Sequence, residues 1–158
     1  MVIGKNAKIS NFLKEVNIFD GLDNQIVNQL YRIGFVQNFR KGDLIIREGQ
    51  PGGKFYVMIN GKSRVVKSKK TGKSKDKDLA VLSRGSVFGE MSMFSGAPYS
   101  ASIRALTDCD IHIIRGADFD VFLRKNQTAA YLILRALLDS MSNRLRRTNI
   151  ALALSCKD

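Results

Sequence analysis

The stretch GSVFGEMSMFSGAPYSASIRALTDCDIHII, residues 85–114, carries three β-favouring runs, "SVFGE", "SASIRAL" and "DIHII", around a short helix-like segment, "EMSMF". A strand that ends in "FGE" and passes straight into a helical turn points the first backbone N–H groups of that turn outward, where they accept an anion such as phosphate. Gly89 has no Cβ to hold a ligand away from this backbone. Upstream the same texture continues. "FVQNF", "LIIRE", "FYVMIN", "SRVVK" and "LAVLS" follow Gly34 at close, fairly even spacing, separated by glycine and polar turns. These eight runs predict a compact antiparallel sandwich or barrel over residues 35–116. Asn60 and Gly61, at the end of "FYVMING", suit the positive φ angles of a tight hairpin leading into "SRVVK".

Helical patterns flank this β region on both sides, which places the chain in the α+β class. Over residues 1–34 the apolar residues, from Phe12 and Leu13 to Leu30 and Ile33, recur at mixed three and four spacing broken by "DGLD", the pattern of two short helices with a turn. Asp23 suits a helix start and Gly34 a helix stop. Residues 117–158 read as helical again, with Asp118 and Thr128 as expected N-caps. From Thr128 to Leu154 there is neither glycine nor proline, and Tyr131, Leu134, Leu138, Met141, Leu145 and Leu152 draw one apolar seam along roughly six turns. The seam either packs on the chain's own sheet or pairs with the same helix of a second copy, and its length favours a homodimer through 128–154.

With 158 residues, 44% of them hydrophobic, the chain suffices for one domain with its own core and is short for two. No run of eighteen apolar residues occurs, and the N-terminal sequence lacks an apolar core with a small-residue cleavage site. Neither a membrane span nor a signal peptide is expected, and the protein reads as cytoplasmic. Two cysteines, Cys109 and Cys156, and one histidine, His112, show no metal-ligand spacing, so neither a disulfide nor a metal site is expected. His112 falls inside a strand, the position of a core or rim residue, and no nucleophile has a base at recognisable spacing; no enzyme activity is expected.

The formal charge of +12 favours acidic partners: nucleic acid, an acidic membrane surface or an acidic protein. Lys67, Lys69, Lys70, Lys73, Lys75 and Lys77 crowd "KSKKTGKSKDKD", residues 67–78, which reads as an exposed hairpin loop between two strands. Its "GKS" lacks the glycine that a phosphate-binding P-loop needs five residues before Gly72, where Lys67 stands.

Taken together, "FRKGDLIIREGQPGGKFYVMINGKSRVV", the stretch 85–114 and the flanking helices resemble the cyclic-nucleotide-binding domain of bacterial catabolite activator proteins, kinase regulatory subunits and nucleotide-gated channels. Gly42, Gly49, Gly52, Gly61, Gly85 and Gly89 are spaced as that family's β-roll requires, and "FGE" is followed at matching distance by "GAP" and "ASIRA". The resemblance covers nearly the whole chain. It implies a roll of jelly-roll type and a cyclic nucleotide, cAMP, cGMP or another, as ligand, with no further cofactor. It sets Glu90 against the ribose 2′-hydroxyl and the backbone of Gly89, Glu90, Met91 and Ser92 at the phosphate. Ser100 and Ser102 either add hydroxyls from the next strand or are plain exposed strand positions.

One position departs from the family pattern: Tyr99 stands where the phosphate-binding arginine is usual. A buried charge-assisted contact of that kind is worth about 1.5–3 kcal/mol, roughly tenfold to a hundredfold in affinity. A tyrosine hydroxyl donates one neutral hydrogen bond instead. Exposed lysines elsewhere do not compensate, because their field is screened beyond about 8–10 Å. Arg104 is not assigned the role, since the matching arginine in the activator proteins is not the principal phosphate contact.

Two classes of function follow. In the first, a regulatory domain senses a cyclic nucleotide with weakened or altered specificity, through Glu90, the 89–92 backbone, Ser100 and Tyr99, and signals through its C-terminal helices to a protein partner. In the second, the pocket is degenerate and the fold is a nucleotide-independent dimerising adapter. The transcription factors with this roll carry a helix-turn-helix after the long helix, and no such segment is present here, so sequence-specific DNA binding is not expected. "NRLRR", residues 143–147, suits at most salt-sensitive, non-specific contact with nucleic acid.

Overall fold

A computed structural model describes the backbone of residues 3–68 and 77–155, and the side chains of residues 9–68 and 78–154. Three helical pieces come first: α1 (Ile3–Lys14), a 3-10 turn (Asn17–Phe19) and α2 (Asn24–Arg32). Asp23 caps α2 as expected, its carboxylate accepting the Ile26 N–H at 2.9 Å. α2 ends at Arg32 with Ile33 as its C-cap, so Gly34 follows the helix end as expected, without a left-handed backbone, and it opens β1, where a Cβ would lie 2.6 Å from the ring of His112.

Eight strands follow at the eight β-favouring runs: β1 (Gly34–Phe39), β2 (Leu44–Ile46), β3 (Lys54–Asn60), β4 (Ser63–Lys67), β5 (Lys77–Leu82), β6 (Val87–Phe88), β7 (Ser102–Ala105) and β8 (Cys109–Arg115). They form two antiparallel four-stranded sheets, β1-β8-β3-β6 and β2-β7-β4-β5. A short helix, α3 (Glu90–Ser95), separates β6 from β7, and α4 (Gly116–Lys125) and α5 (Gln127–Ser155) end the described chain. The fold is α+β, a β-roll between N-terminal helices and a long C-terminal helix. Among the described residues no helix is long and apolar enough to cross a membrane.

The segment joining β3 to β4 is not a hairpin turn. The two strands belong to different sheets, so the chain crosses from one layer to the other at Gly61. Gly61 has φ +92°, and a Cβ there would lie 2.3 Å from the Asp108 carbonyl oxygen, so only glycine fits. The caps of the last two helices also differ from expectation. β8 runs directly into α4, which puts Arg115 at the cap and Asp118 inside the first turn, where it pairs with Arg115 at 2.7 Å. α5 begins one residue before Thr128, and the Asn126 carbonyl accepts the Ala130 N–H. Residues 69–76, most of the lysine-rich stretch read as an exposed loop, lie outside the described residues, as does Cys156.

β3 supplies both cores, because side chains alternate along a strand. Phe55, Val57 and Ile59 meet Phe12, Leu13, Phe19, Phe119, Phe122 and Ile133 in the core beneath the helices. Tyr56 and Met58 point the other way and meet Ile46, Phe88, Ile103, Ile111 and Ile113 between the sheets. His112, fully buried on β8, stacks on Tyr31 and donates from Nε2 to the Tyr31 carbonyl at 3.1 Å. Burial pushes its pKa below the ordinary histidine range.

α5 has 29 residues, about 43 Å at helical rise. Its inward stripe is Ala129, Ile133 and Leu137, all buried. The seam read from the sequence lies on a different stripe. Tyr131, Leu138, Leu145 and Leu152 are each more than half exposed, Leu134 is 44% exposed and Met141 is half-buried, so most of this seam does not cover the chain's own sheet.

Candidate ligand pocket

A cavity of about 170 Å³ opens where β6 passes into α3, walled by Ile46, Val65 and Ile103 from the second sheet and by Phe88. Gly89 makes the turn possible. Its φ is +81°, and a Cβ would lie 2.6 Å from the Lys54 carbonyl oxygen and 2.7 Å from the Tyr56 ring. The chain is thereby drawn against β3, and Glu90 enters the cavity wall with 2% of its surface exposed. The first turn of α3 leaves its leading N–H groups without helical acceptors.

The structure brings Gly89, Glu90, Met91, Ser92, Tyr99 and Ser100 together around this cavity. Ser102 is placed elsewhere. It alternates on β7 with Ile103, which lines the cavity, and its hydroxyl accepts the Glu48 N–H at 2.9 Å on the opposite side of the sheet. The Ser92 hydroxyl is buried and donates to the Ala97 carbonyl, so it closes the loop after α3. Ser100 is exposed and holds its carbonyl to the Lys67 ammonium, which also pairs with Glu48 at 2.6 Å. The Lys67 hydrogen bond, aided by the Ser68 N–H, keeps the Glu48 carboxyl below the ordinary range. Arg104 lies apart from the cavity and donates to the Gly42 carbonyl at 2.7 Å.

Tyr99 is locked at its backbone, its N–H to the Gln50 carbonyl at 3.0 Å and its carbonyl to the Gly49 N–H at 2.9 Å. Its hydroxyl meets that of Tyr56 at 3.1 Å, and the rings stand edge to face with centroids 6.5 Å apart. Burial, and then the Tyr99 hydroxyl, raise the Tyr56 pKa above the tyrosine range. The Tyr56 phenol therefore stays a neutral donor and acceptor at physiological pH.

Among the described residues two charged side chains line the cavity, Glu90 and Arg144, and they form an ion pair. Arg144 comes from α5, 54 residues along the chain from Glu90, and nothing in sequence spacing links the two. The one signal was the basic cluster at 143–147, to which the sequence attaches no position in the fold. A larger groove, about 540 Å³, lies between the 3-10 turn, β6 and α5; it shares Leu82 and Arg144 with the first cavity but lacks Glu90 and the α3 turn. Among the described residues no group of His, Cys, Asp and Glu could hold a metal ion.

Known proteins resemble this chain in sequence and in fold. The family model described as "Cyclic nucleotide-binding domain" matches residues 36–126. A cGMP-dependent protein kinase of Plasmodium berghei is 32% identical over 101 residues, 63% of this chain and 11% of the kinase. A CRP-like cAMP-activated global transcriptional regulator of Mycobacterium tuberculosis is 27% identical over 146 residues, 92% of this chain and 62% of the regulator. The chain thus spans less than two thirds of either relative. The crystal structure of a cyclic nucleotide-binding domain from Methylobacillus flagellatus shares the fold with a TM-score of 0.82 at 21% identity, covering 96% of this chain and 84% of that one.

Proposed function

We propose a function from one premise: the chain belongs to the cyclic nucleotide-binding domain family. It is a non-catalytic regulatory domain that senses a cyclic nucleotide in the cavity at the start of α3, with affinity or specificity altered at the phosphate end. The occupied state is passed through α5 to a partner polypeptide, by differential affinity of the ligand for two helix arrangements. Glu90 carries this reading. A carboxylate is costly to bury even when paired, and this one lies in the wall of a cavity with Arg144 as its charged partner. A ribose hydroxyl entering the cavity would donate a second hydrogen bond to it. The relatives' names, cGMP-dependent and cAMP-activated, set the first ligands to test.

The exposed seam on α5 supports a second copy as one partner. Tyr131, Leu138, Leu145 and Leu152 form a stripe that a parallel helix of the same kind would cover.

The second reading, a nucleotide-independent adapter, draws on Tyr99. Its ring and hydroxyl, held by Tyr56, take up space and donor capacity, and the cavity of about 170 Å³ is below the roughly 300–1,000 Å³ usual for ligand pockets. Isothermal calorimetry against cAMP, cGMP and cyclic dinucleotides, with Tyr99→Arg alongside, separates the two. Saturable binding by the unaltered chain is the expected result. Silence in the unaltered chain, with binding gained by Tyr99→Arg, selects the adapter.

A further inference from the structure

We propose that Arg144 is the cation that receives the ligand's anionic group, carried to the pocket by α5 and not by the roll; this rests on reading the cavity as a cyclic-nucleotide site. The charge inventory leads there. Without Arg144 the described lining would present a single charged side chain, the buried carboxylate of Glu90, and a phosphodiester anion entering beside it would meet backbone N–H dipoles but no formal positive charge. With Arg144 paired to Glu90, the carboxylate is neutralised and the guanidinium has donors to spare. One N–H, on Nη2, goes to Glu90 Oε1, out of the five that an arginine carries, and the side chain is 53% exposed. A guanidinium can thus bridge a carboxylate and a phosphate, its planar fork suiting both.

The placement on α5 has a consequence for how the site works. Residues 142–154 of α5 are all exposed, so in this outer half of the helix no side chain is buried against the roll, and Arg144 is paired with it through Glu90. The cavity alone is small for a nucleotide, and the adjoining groove of about 540 Å³, which Leu82 and Arg144 also line, adds space beside it. A ligand with a phosphodiester holds α5 on the roll through Arg144, whereas a neutral nucleoside fills the same space without that pull.

The test is calorimetry with cAMP and with adenosine, which lacks the phosphate, on the unaltered chain, Arg144→Ala, Arg144→Lys and the double variant Arg144→Ala/Tyr99→Arg. Arg144→Ala is expected to weaken cAMP binding about tenfold to a hundredfold and leave adenosine unchanged. Arg144→Lys should retain part of the affinity, and Tyr99→Arg should restore it in the alanine background by supplying the cation from the roll. Unchanged or tighter cAMP binding by Arg144→Ala overturns the proposal, since Arg144 would then be a competitor for Glu90. Equal losses for cAMP and adenosine also overturn it, leaving Arg144 as a brace that does not read charge. If the unaltered chain binds neither compound, the cyclic-nucleotide reading falls and takes the proposal with it; binding that is indifferent to Arg144 removes the proposal alone.

Discussion

Phe55 and Tyr56 are neighbours in sequence and point to opposite sides of β3. Phe55 enters a closed core, stacked on Phe119 with centroids 4.9 Å apart and tilted against Phe19 at 6.3 Å. Tyr56 enters the space between the sheets, stacked on Phe88 at 5.0 Å, with its hydroxyl on Tyr99 at the edge of the ligand cavity. The first face is sealed by helices and apolar throughout its cluster; the second ends in hydroxyls beside an opening. The difference shows how one strand can anchor the fold and shape a site without compromise between the two. Alternation gives each task its own side chains, so the site face can carry polar groups that the helix-side core would not tolerate.

Truncating the closed face should have the largest effect. Phe55→Ala is expected to cost about 3–5 kcal/mol in chemical denaturation, because Phe19, Phe119 and the strand around it leave a cavity that rigid neighbours cannot collapse. A loss near 1 kcal/mol would mean that the helices adjust freely, and the contrast between the faces would weaken. On the open face Tyr56→Phe removes one hydroxyl and keeps the stacking on Phe88, for an expected loss of about 0.5–1.5 kcal/mol. Pairing it with Tyr99→Phe in a double-mutant cycle sharpens the comparison, since hydroxyls that act on each other must give non-additive losses. The smallest effect on folding is expected outside both faces. Leu145→Glu, at a position 61% exposed, should change monomer stability by less than about 0.5 kcal/mol while abolishing any dimer seen by analytical ultracentrifugation. An unaltered dimer would place the contact elsewhere than the α5 seam.

Much of the roll was legible. All eight β-favouring runs are strands, because glycine and polar turns punctuate them and their apolar content suits a pleated surface. Glu90 and the 89–92 turn were legible too, since they sit next to each other in the chain and their chemistry is local. The joint at Asn60 and Gly61 was misread as a hairpin because a glycine with positive φ serves a crossing between layers as well as a turn within one, and only the pairing of β3 with β8 and β6, and of β4 with β7 and β5, tells them apart. Ser100 and Ser102 would share a face of one continuous strand, but β7 begins only at Ser102: Ser100 lies in the bend before it at the cavity, while the Ser102 hydroxyl faces away and accepts the Glu48 N–H. The α5 seam was visible as a periodic stripe, but whether it faced inward depended on which other stripe, Ala129, Ile133 and Leu137, the core had taken.

By itself the sequence determined what contiguous residues can encode: strand and helix periods, the glycines that permit sharp backbone turns, the carboxylate at the start of α3 and the tyrosine in the family's arginine position. Tertiary structure alone decided which distant groups share a space. Arg144 and Glu90 are 54 residues apart, and their pairing follows from the path of α5 across the roll. The physical reason is that local conformation depends on neighbouring side chains, whereas the charge of a pocket is the sum over every element that reaches it.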